Sequence, residues 1–401
     1  MNSPLTILCI ASYYKGIDFL KQCKREGCRV LLLTSKSLES KEWPRESIDE
    51  IFYIPDKNNE WNMEDVIYGV SYLARKEKID RIVALDDFDV EKAATLREHL
   101  RIGGMGDTTA RYFRDKLAMR KKALDDGINV PPFVHLLNYK DIKNFISKVK
   151  FPYIIKPRMK AVAIGLIKVN SENEVWQALE TLGDEQSFYL MEKFVKGDVY
   201  HSDTIIQNKK IIFVSVSKYG LPPMEVAHQG RVFTSKTVSP ESDEAKEVAE
   251  FNQKVIKSLG LVYGVSHTEF IRSEEDGKLY FLETSARVGG ANLSELVKAA
   301  TGINLWEEWA KIEKAKGEGY KLPEIKNRYA AIITSLAKQE WPDLSGYDAH
   351  EVVWKLRKKY HAGLIIASKK EERINELLEE YINRFYNDFF TTHPMTDLPS
   401  D

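Results

Sequence analysis

The stretch VSHTEFIR-SEEDGK-LYFLETS, residues 265–285, constrains the chain more than any other. Two short apolar runs flank an Asp276-Gly277 turn signal, which predicts a β-hairpin. Each run carries a carboxylate, Glu269 in the first and Glu283 in the second. A turn centred on position 276 sets the two opposite each other on one face, and a one-residue slip would separate them. Facing like charges destabilise a sheet, and burial adds a desolvation cost. The neighbours Phe270, Ile271, Phe281 and Leu282 favour burial over the alternative of two solvated glutamates on an exposed face. A shared proton or a divalent cation would compensate. Magnesium takes one or two protein carboxylates together with substrate phosphates.

The rest of the chain predicts an α/β architecture. LTILCIA (5–11), a helix from Tyr14 to Glu26 stopped by Gly27, and VLLLTS (30–35) form a β-α-β opening that favours a parallel sheet. RIVALDD (81–87) is a further strand ending in carboxylates, followed by a helix from Val90 to Leu100. The opening lacks GxGxxG, so the dinucleotide fingerprint is absent. Residues 107–126 read as one helix capped by Asp107 or Thr108, with Phe113, Leu117 and Leu124 on one face. NVPPF (129–133) reads as a loop. A βαβ-like alternation then follows: FPYIIKPR (151–158), AIGLIKV (163–169), a helix near 171–182 and SFYLMEKFV (187–195). Strands at 199–206 and 210–218 come next, then a long polar segment, 219–242, without clear period. That segment suits a substrate loop. Residues 243–259 form an amphipathic helix. Strands are expected near 328–336 and 362–367. A last helix carries Ile374, Leu377, Leu378, Tyr381, Ile382, Phe385 and Phe389 as one apolar stripe, either core or a homodimer seam.

A length of 401 residues suits two or three domains. Lys+Arg is 59 and Asp+Glu is 60, so bulk attraction to nucleic acid or membrane is excluded as a partner class, while a local basic pocket is not. Cys9, Cys23 and Cys28 are odd in number and lack metal-ligand spacing, which points to buried thiols in a reducing, cytoplasmic compartment. MNSPLTILCIASYYKG has neither a basic n-region nor a long apolar h-region, so no signal peptide is expected. No apolar run reaches the ~20 residues that span a bilayer.

Magnesium with phosphates needs further positive charge. Lys156 ends an apolar strand, where a lysine either snorkels to solvent or meets an anion. Lys116 lies in the polar-rich RDKLAMRKKAL, which by itself reads as a solvated helix face. LMEKFVKG (190–197) passes from apolar strand to Glu192-Lys193 and offers a backbone edge beside an apolar wall, suited to a flat base.

RDKLAMR, FPYIIKPR, LMEKFVKGDVYH, HTEF and FLETSARVGG, in this order, resemble the ATP-grasp superfamily of ligases. The resemblance spans roughly residues 5–312 and is nearest to carboxylate–amine ligases such as L-amino-acid (dipeptide) ligases, with biotin-carboxylase-like enzymes next. It implies an α/β (α+β) fold with three parts: an N-terminal parallel-sheet domain (1–106), an ATP-grasp domain (107–312) whose mobile lid covers about 130–190, and a C-terminal α/β extension (313–401). The ATP-grasp part would be mainly antiparallel. The resemblance also implies site roles. Lys116 and Lys156 would contact ATP phosphates, and Lys156 would serve catalysis as a point charge. Glu192, Lys193, Phe194 and Val195 would form the adenine hinge. His201 matches a position facing ribose or adenine, or is a surface histidine. Glu269 and Glu283 would hold Mg2+ or Mn2+. Arg287 would steady the acyl phosphate or a substrate carboxylate, with Gly289 and Gly290 lending backbone N–H groups. His267 would line the substrate side or is a core histidine.

Two departures from the family pattern stand out. Ser285 occupies a metal-site position where an asparagine is usual, and the phosphate-covering loop RMKAVAIG (158–165) has a single glycine. The implied reaction joins a small-molecule carboxylate to an amine through an acyl phosphate, releasing ADP and phosphate. The alternatives are a bicarbonate-using carboxylase and a nucleotide-binding module without ligase chemistry.

Overall fold

Thr6–Ala11 is buried along its whole length and forms the middle of a parallel sheet. Such strands, covered on both faces, read as continuous apolar runs rather than alternating ones. The computed structural model describes residues 4–57, 59–160, 165–316 and 318–392. Its first sheet runs Glu50–Ile54, Arg29–Ser35, Thr6–Ala11, Arg81–Ala84, all parallel. Ile7, Cys9 and Ala11 face Phe19, Leu20 and Cys23 of helix Ile17–Arg25. Leu8 and Ile10 face Val66 and Val70 of helix Met63–Leu73 and Ala93 and Ala94 of helix Val90–Leu100. The strand order reverses between Thr6–Ala11 and Arg81–Ala84, so a crevice opens at their carboxyl ends, the usual ligand side of such sheets. Cys9, Cys23 and Cys28 are free and buried, and burial pushes all three thiols up, Cys28 to about 11.

The middle of the chain differs from its βαβ reading. Phe133–His135, Tyr189–Lys193, Tyr153–Pro157 and Ile167–Val169 form a four-stranded sheet in that order, and every pairing is antiparallel. Helices Tyr139–Lys148 and Glu172–Leu182 bury Ile142, Phe145, Val175 and Leu179 against it. Residues 161–164, most of the expected phosphate-covering loop, lie outside the described residues.

An eight-stranded antiparallel sheet carries the hairpin at one edge. Its order is Leu279–Ser285, Gly264–Ser273, Gly197–Gln207, Lys210–Tyr219, Phe233–Thr237, Tyr329–Leu336, His361–Ser368, Val352–Lys355. The strands of residues 313–401 thus continue the sheet that bears the two glutamates. The bridge between them is Phe233–Thr237, inside the segment expected to be an unstructured substrate loop. That segment also holds a short helix, Pro223–Gln229, which starts with Pro223 where a missing N–H costs nothing. The terminal helix, Glu371–Asp388, turns Ile374, Leu377, Tyr381 and Phe385 inward on the sheet, so the apolar stripe is core. Among the described residues, no helix is long and apolar enough to cross a membrane.

The helix expected over 107–126 is two helices, Asp107–Arg111 and Lys116–Asp125. Asp115 makes the break. Its carboxylate accepts from the N–H groups of Leu117 (3.0 Å) and Ala118 (3.4 Å), starting the second helix, and it pairs with Arg158. Phe113 is buried in the break, whereas Leu124 is 52% exposed, so the two do not share a face. The cap makes Lys116 the first residue of its helix. Asp115→Ala is expected to destabilise the protein by about 0.5–2 kcal/mol from the cap alone, measurable by urea unfolding.

Candidate active site

The hairpin pairs Glu269 with Glu283, Thr268 with Thr284 and His267 with Ser285. Beyond Glu269 the register shifts, so Phe270 faces Phe281 and Leu282 is the extra residue of a β-bulge. The bulge leaves the Leu282 carbonyl outside the ladder, and the guanidinium of Arg120 donates to it. Arg120 is fully buried and also binds Glu192, Nε to Oε2 at 3.0 Å. Glu192 accepts from the Lys156 ammonium through its other oxygen. One guanidinium therefore ties the hairpin to strand Tyr189–Lys193 of the four-stranded sheet.

These groups border a cavity of about 360 Å³. Lys116, Lys156, Glu192, Glu269 and Glu283 give it a polar side; Ile154, Phe194, Val195 and Leu282 give it an apolar one. Lys193 lines it too, while its ammonium pairs with Glu275. Leu221 to Glu225, ahead of and within helix Pro223–Gln229, close another wall. Lys116 reaches Glu283 at 3.0 Å and donates to the Lys160 carbonyl at 2.7 Å. Glu283 retains 36% side-chain accessibility although it lies deep in the protein, because it opens onto the cavity. Burial raises its pKa, but Lys116 and then Lys156 outweigh that and hold it below the ordinary value. Burial pushes Lys156 down to about 8 against the pull of Glu192, and Arg120 adds to the fall. Burial likewise acts to raise Glu192, and Arg120 and Lys156 more than reverse it.

A second cluster lies behind the glutamates. Glu269 accepts from the Tyr219 hydroxyl at 2.8 Å and stands 3.7 Å from His267 Nε2. His267 Nδ1 meets one oxygen of Asp203 at 2.9 Å, and His201 Nδ1 meets the other at 2.8 Å. Against burial, Asp203 raises the His267 pKa to about 10, so the ring is an imidazolium at neutral pH. His201 is neither at the surface nor on the cavity wall. It is fully buried, and its Nε2 is engaged by Ser235 at 2.8 Å. The donor atoms of His201, Asp203 and His267 lie within 4.8 Å of one another, a spacing that would suit a metal ion, but they are spent on these hydrogen bonds. Gly289 packs on the same trio. A Cβ there would stand 2.8 Å from Asp203 Oδ1 and 2.9 Å from His267 Nδ1.

The Arg287 guanidinium donates to the Val288 carbonyl at 2.8 Å, and Gly290 lies exposed beside it. Ser285 lies near Asp87, the strand-end carboxylate of the N-terminal sheet, and does not line the cavity. Of the expected site residues, Lys116, Lys156, Glu192 to Val195, Glu269 and Glu283 share the cavity. His201, His267, Ser285, Arg287, Gly289 and Gly290 do not line it. Arg120, Asp203 and Tyr219 were missed. Arg120 carries no signal in a lysine-rich helix, and Asp203 and Tyr219 are single polar residues within long strands.

The ATP-grasp domain family matches residues 149–295, which include both glutamates, Lys156 and Glu192 to Val195. The chain carries a stretch similar to the ATP-grasp domain. It is similar to the L-arginine-specific L-amino acid ligase of Bacillus subtilis, 26% identical over 282 residues, covering 67% of this chain and 68% of that one. It is also similar to a D-alanine–D-alanine ligase of Christiangramia forsetii, 25% identical over 230 residues, 52% of this chain and 68% of that one. Among solved structures, an L-amino acid ligase from Bacillus licheniformis shares the fold with a TM-score of 0.74 at 17% identity, covering 97% and 98% of the two chains. N5-carboxyaminoimidazole synthetase from Staphylococcus aureus, complexed with ADP, gives 0.71 at 18% identity, covering 95% and 98%.

Two outcomes follow from this geometry. Gly289→Ala is expected to destabilise by about 1–3 kcal/mol through overpacking against a buried, hydrogen-bonded pair, measured by urea unfolding. Lys156 loses its proton near pH 8 in the free protein. A phosphate bound beside Lys156 would favour the charged lysine, so its binding would take up a proton above that pH. MgADP affinity should therefore fall as pH rises beyond about 8, by at most about tenfold per unit, and calorimetry in buffers of different ionisation enthalpy should register the uptake.

Proposed function

We propose that the chain is an ATP-dependent carboxylate–amine ligase that works through an acyl phosphate and needs a divalent cation. The observation that carries this reading is the facing pair Glu269 and Glu283, set on the wall of a cavity that also holds Lys116 and Lys156. Two carboxylates supply hard oxygen donors of the kind Mg2+ or Mn2+ takes, and the cavity is within the size range of small-molecule sites. The similarity to L-amino-acid and D-alanine ligases supports a C–N bond as the product.

In this reading the apolar wall at Ile154, Phe194 and Val195 receives the adenine, and Lys116 and Lys156 receive phosphate oxygens. Glu269 and Glu283 would hold the cation, which supplies charge neutralisation on the phosphates when bound. A substrate carboxylate oxygen attacks the γ-phosphorus, the bond to the β-phosphate oxygen breaks, and ADP leaves. Negative charge grows on the transferred oxygens, which Lys116 and Lys156 offset. The amine nitrogen then attacks the acyl carbon, the C–O bond breaks, phosphate leaves and the amine loses a proton. Arg287, close after Glu283 in the chain, steadies the phosphate being expelled. The chain contributes no covalent nucleophile to either step.

The test is ADP release with pairs of amino acids, with mass analysis of the product. Glu283→Gln is expected to lower turnover by about 10²-fold or more while unfolding stays cooperative. Near-normal ADP release by this variant would remove the cation assignment. ADP release that depends on bicarbonate and needs no amino acid would replace the ligase reading with a carboxylase.

A further inference from the structure

Asp87 follows strand Arg81–Ala84 at the crevice between the two halves of the parallel sheet. It is 6% exposed, and its Oδ2 takes an ion pair from Arg114. Its other oxygen, Oδ1, faces Arg287 Nε at 3.9 Å. Neither of these two atoms has a hydrogen-bond partner, and both are buried. Burial acts to raise the Asp87 pKa; Arg114, Arg287, Lys116 and the Ser285 hydroxyl together hold it below the ordinary carboxylate value. So a buried donor on an arginine and a buried acceptor on a carboxylate, both without partners, stand 3.9 Å apart, just outside bonding distance. A movement of about 1 Å would make the bond. Contacts in catalytic sites are often long in the free protein and tighten in the working complex.

We propose that Asp87 is a positioning residue for Arg287: the N-terminal sheet supplies a carboxylate that seats the guanidinium when the site engages a phosphoryl group. Arg287 Nη1 is already held by the Val288 carbonyl. Capture of Nε by Asp87 fixes a second edge of the planar group and leaves the rest of the fork for an oxyanion. The unpaired atoms mark the free state as the open one, and the N-terminal sheet takes part in phosphoryl transfer through a residue that touches neither nucleotide nor substrate.

The inference rests on the ligase reading for its kinetic arm and is independent of it in its structural arm. In the kinetic arm, Asp87→Asn is expected to lower kcat for substrate-dependent ADP release by about 10- to 100-fold, with the KM for ATP changed less than about twofold. The double variant Asp87→Asn, Arg287→Ala should be no slower than Arg287→Ala alone, because the two residues act as one unit. Multiplying losses, or a rise in the KM for ATP that accounts for the effect, would overturn the proposal. In the structural arm, a crystal structure of the wild-type protein with magnesium, ADP and aluminium fluoride should bring Arg287 Nε and Asp87 Oδ1 within about 3.2 Å. A separation that stays at the free-state value overturns the proposal whatever the assays give, and this arm decides the matter if Asp87→Asn does not fold. If the contact closes and the wild-type protein joins no acid to any amine, the ligase reading fails and the Asp87–Arg287 pairing stands.

Discussion

Two carboxylates held opposite each other in a mostly buried hairpin are what the rest of the site answers to. Glu269 and Glu283 repel across the strand pair, and neither can be moved without shifting the register of a strand whose other residues fill the core. The protein meets the charge from three sides. Lys116 is brought up by a helix that Asp115 starts. Lys156 comes from the neighbouring sheet, His267 from Glu269's own strand and Tyr219 from strand Lys210–Tyr219. The partners stand on a helix and on two of the sheets, so these must be assembled before the pair becomes tolerable.

Arg120 connects this electrostatic problem to the backbone. A bulge at Leu282 keeps Glu269 and Glu283 in register although the hairpin turn is not centred where simple symmetry puts it. The bulge costs a ladder hydrogen bond, and Arg120 supplies the missing donor to Leu282 while offsetting the charge of Glu192. Removing the Arg120 side chain would leave a buried carboxylate and a buried carbonyl short of partners together, a combination more damaging than losing either contact alone.

The parts legible in the sequence were those set by local pattern. The opening β-α-β unit, the helices at Val90–Leu100 and Asp243–Leu259, and the pairing of the two glutamates follow from apolar period and a turn signal. The facing pair was found through an assumption of symmetry that the bulge happens to preserve. What could not be read was set by long-range partners. The break at Tyr112 to Asp115 depends on Arg158, over forty residues on, and on a cap that competes with a continuous helix. The strand Phe233–Thr237 reads as loop because its two neighbours are Lys210–Tyr219 and Tyr329–Leu336, one of them nearly a hundred residues away. His201 looked like a ligand or a surface residue because nothing local announces that Asp203 and Ser235 will enclose it.

The free site is already satisfied by its own charges, and this shapes how ligands can enter. Lys116 rests on Glu283 and Lys156 rests on Glu192, so neither lysine waits as an open anion trap. A phosphate oxygen must compete with a carboxylate for each ammonium. In the ligase reading, Glu283 is also a cation ligand, and a carboxylate engaged by a divalent ion pulls less strongly on Lys116. Engagement of Glu283 therefore frees Lys116 for phosphate, and phosphate on Lys116 frees Glu283. Nucleotide and cation affinities are then coupled through a single ion pair, and the coupling must be reciprocal. Lys156 behaves otherwise. Its direct partner Glu192 is shared with Arg120, and it meets Glu283 only through the longer-range attraction that helps keep that carboxylate ionised, so its coupling to the cation is weaker than that of Lys116.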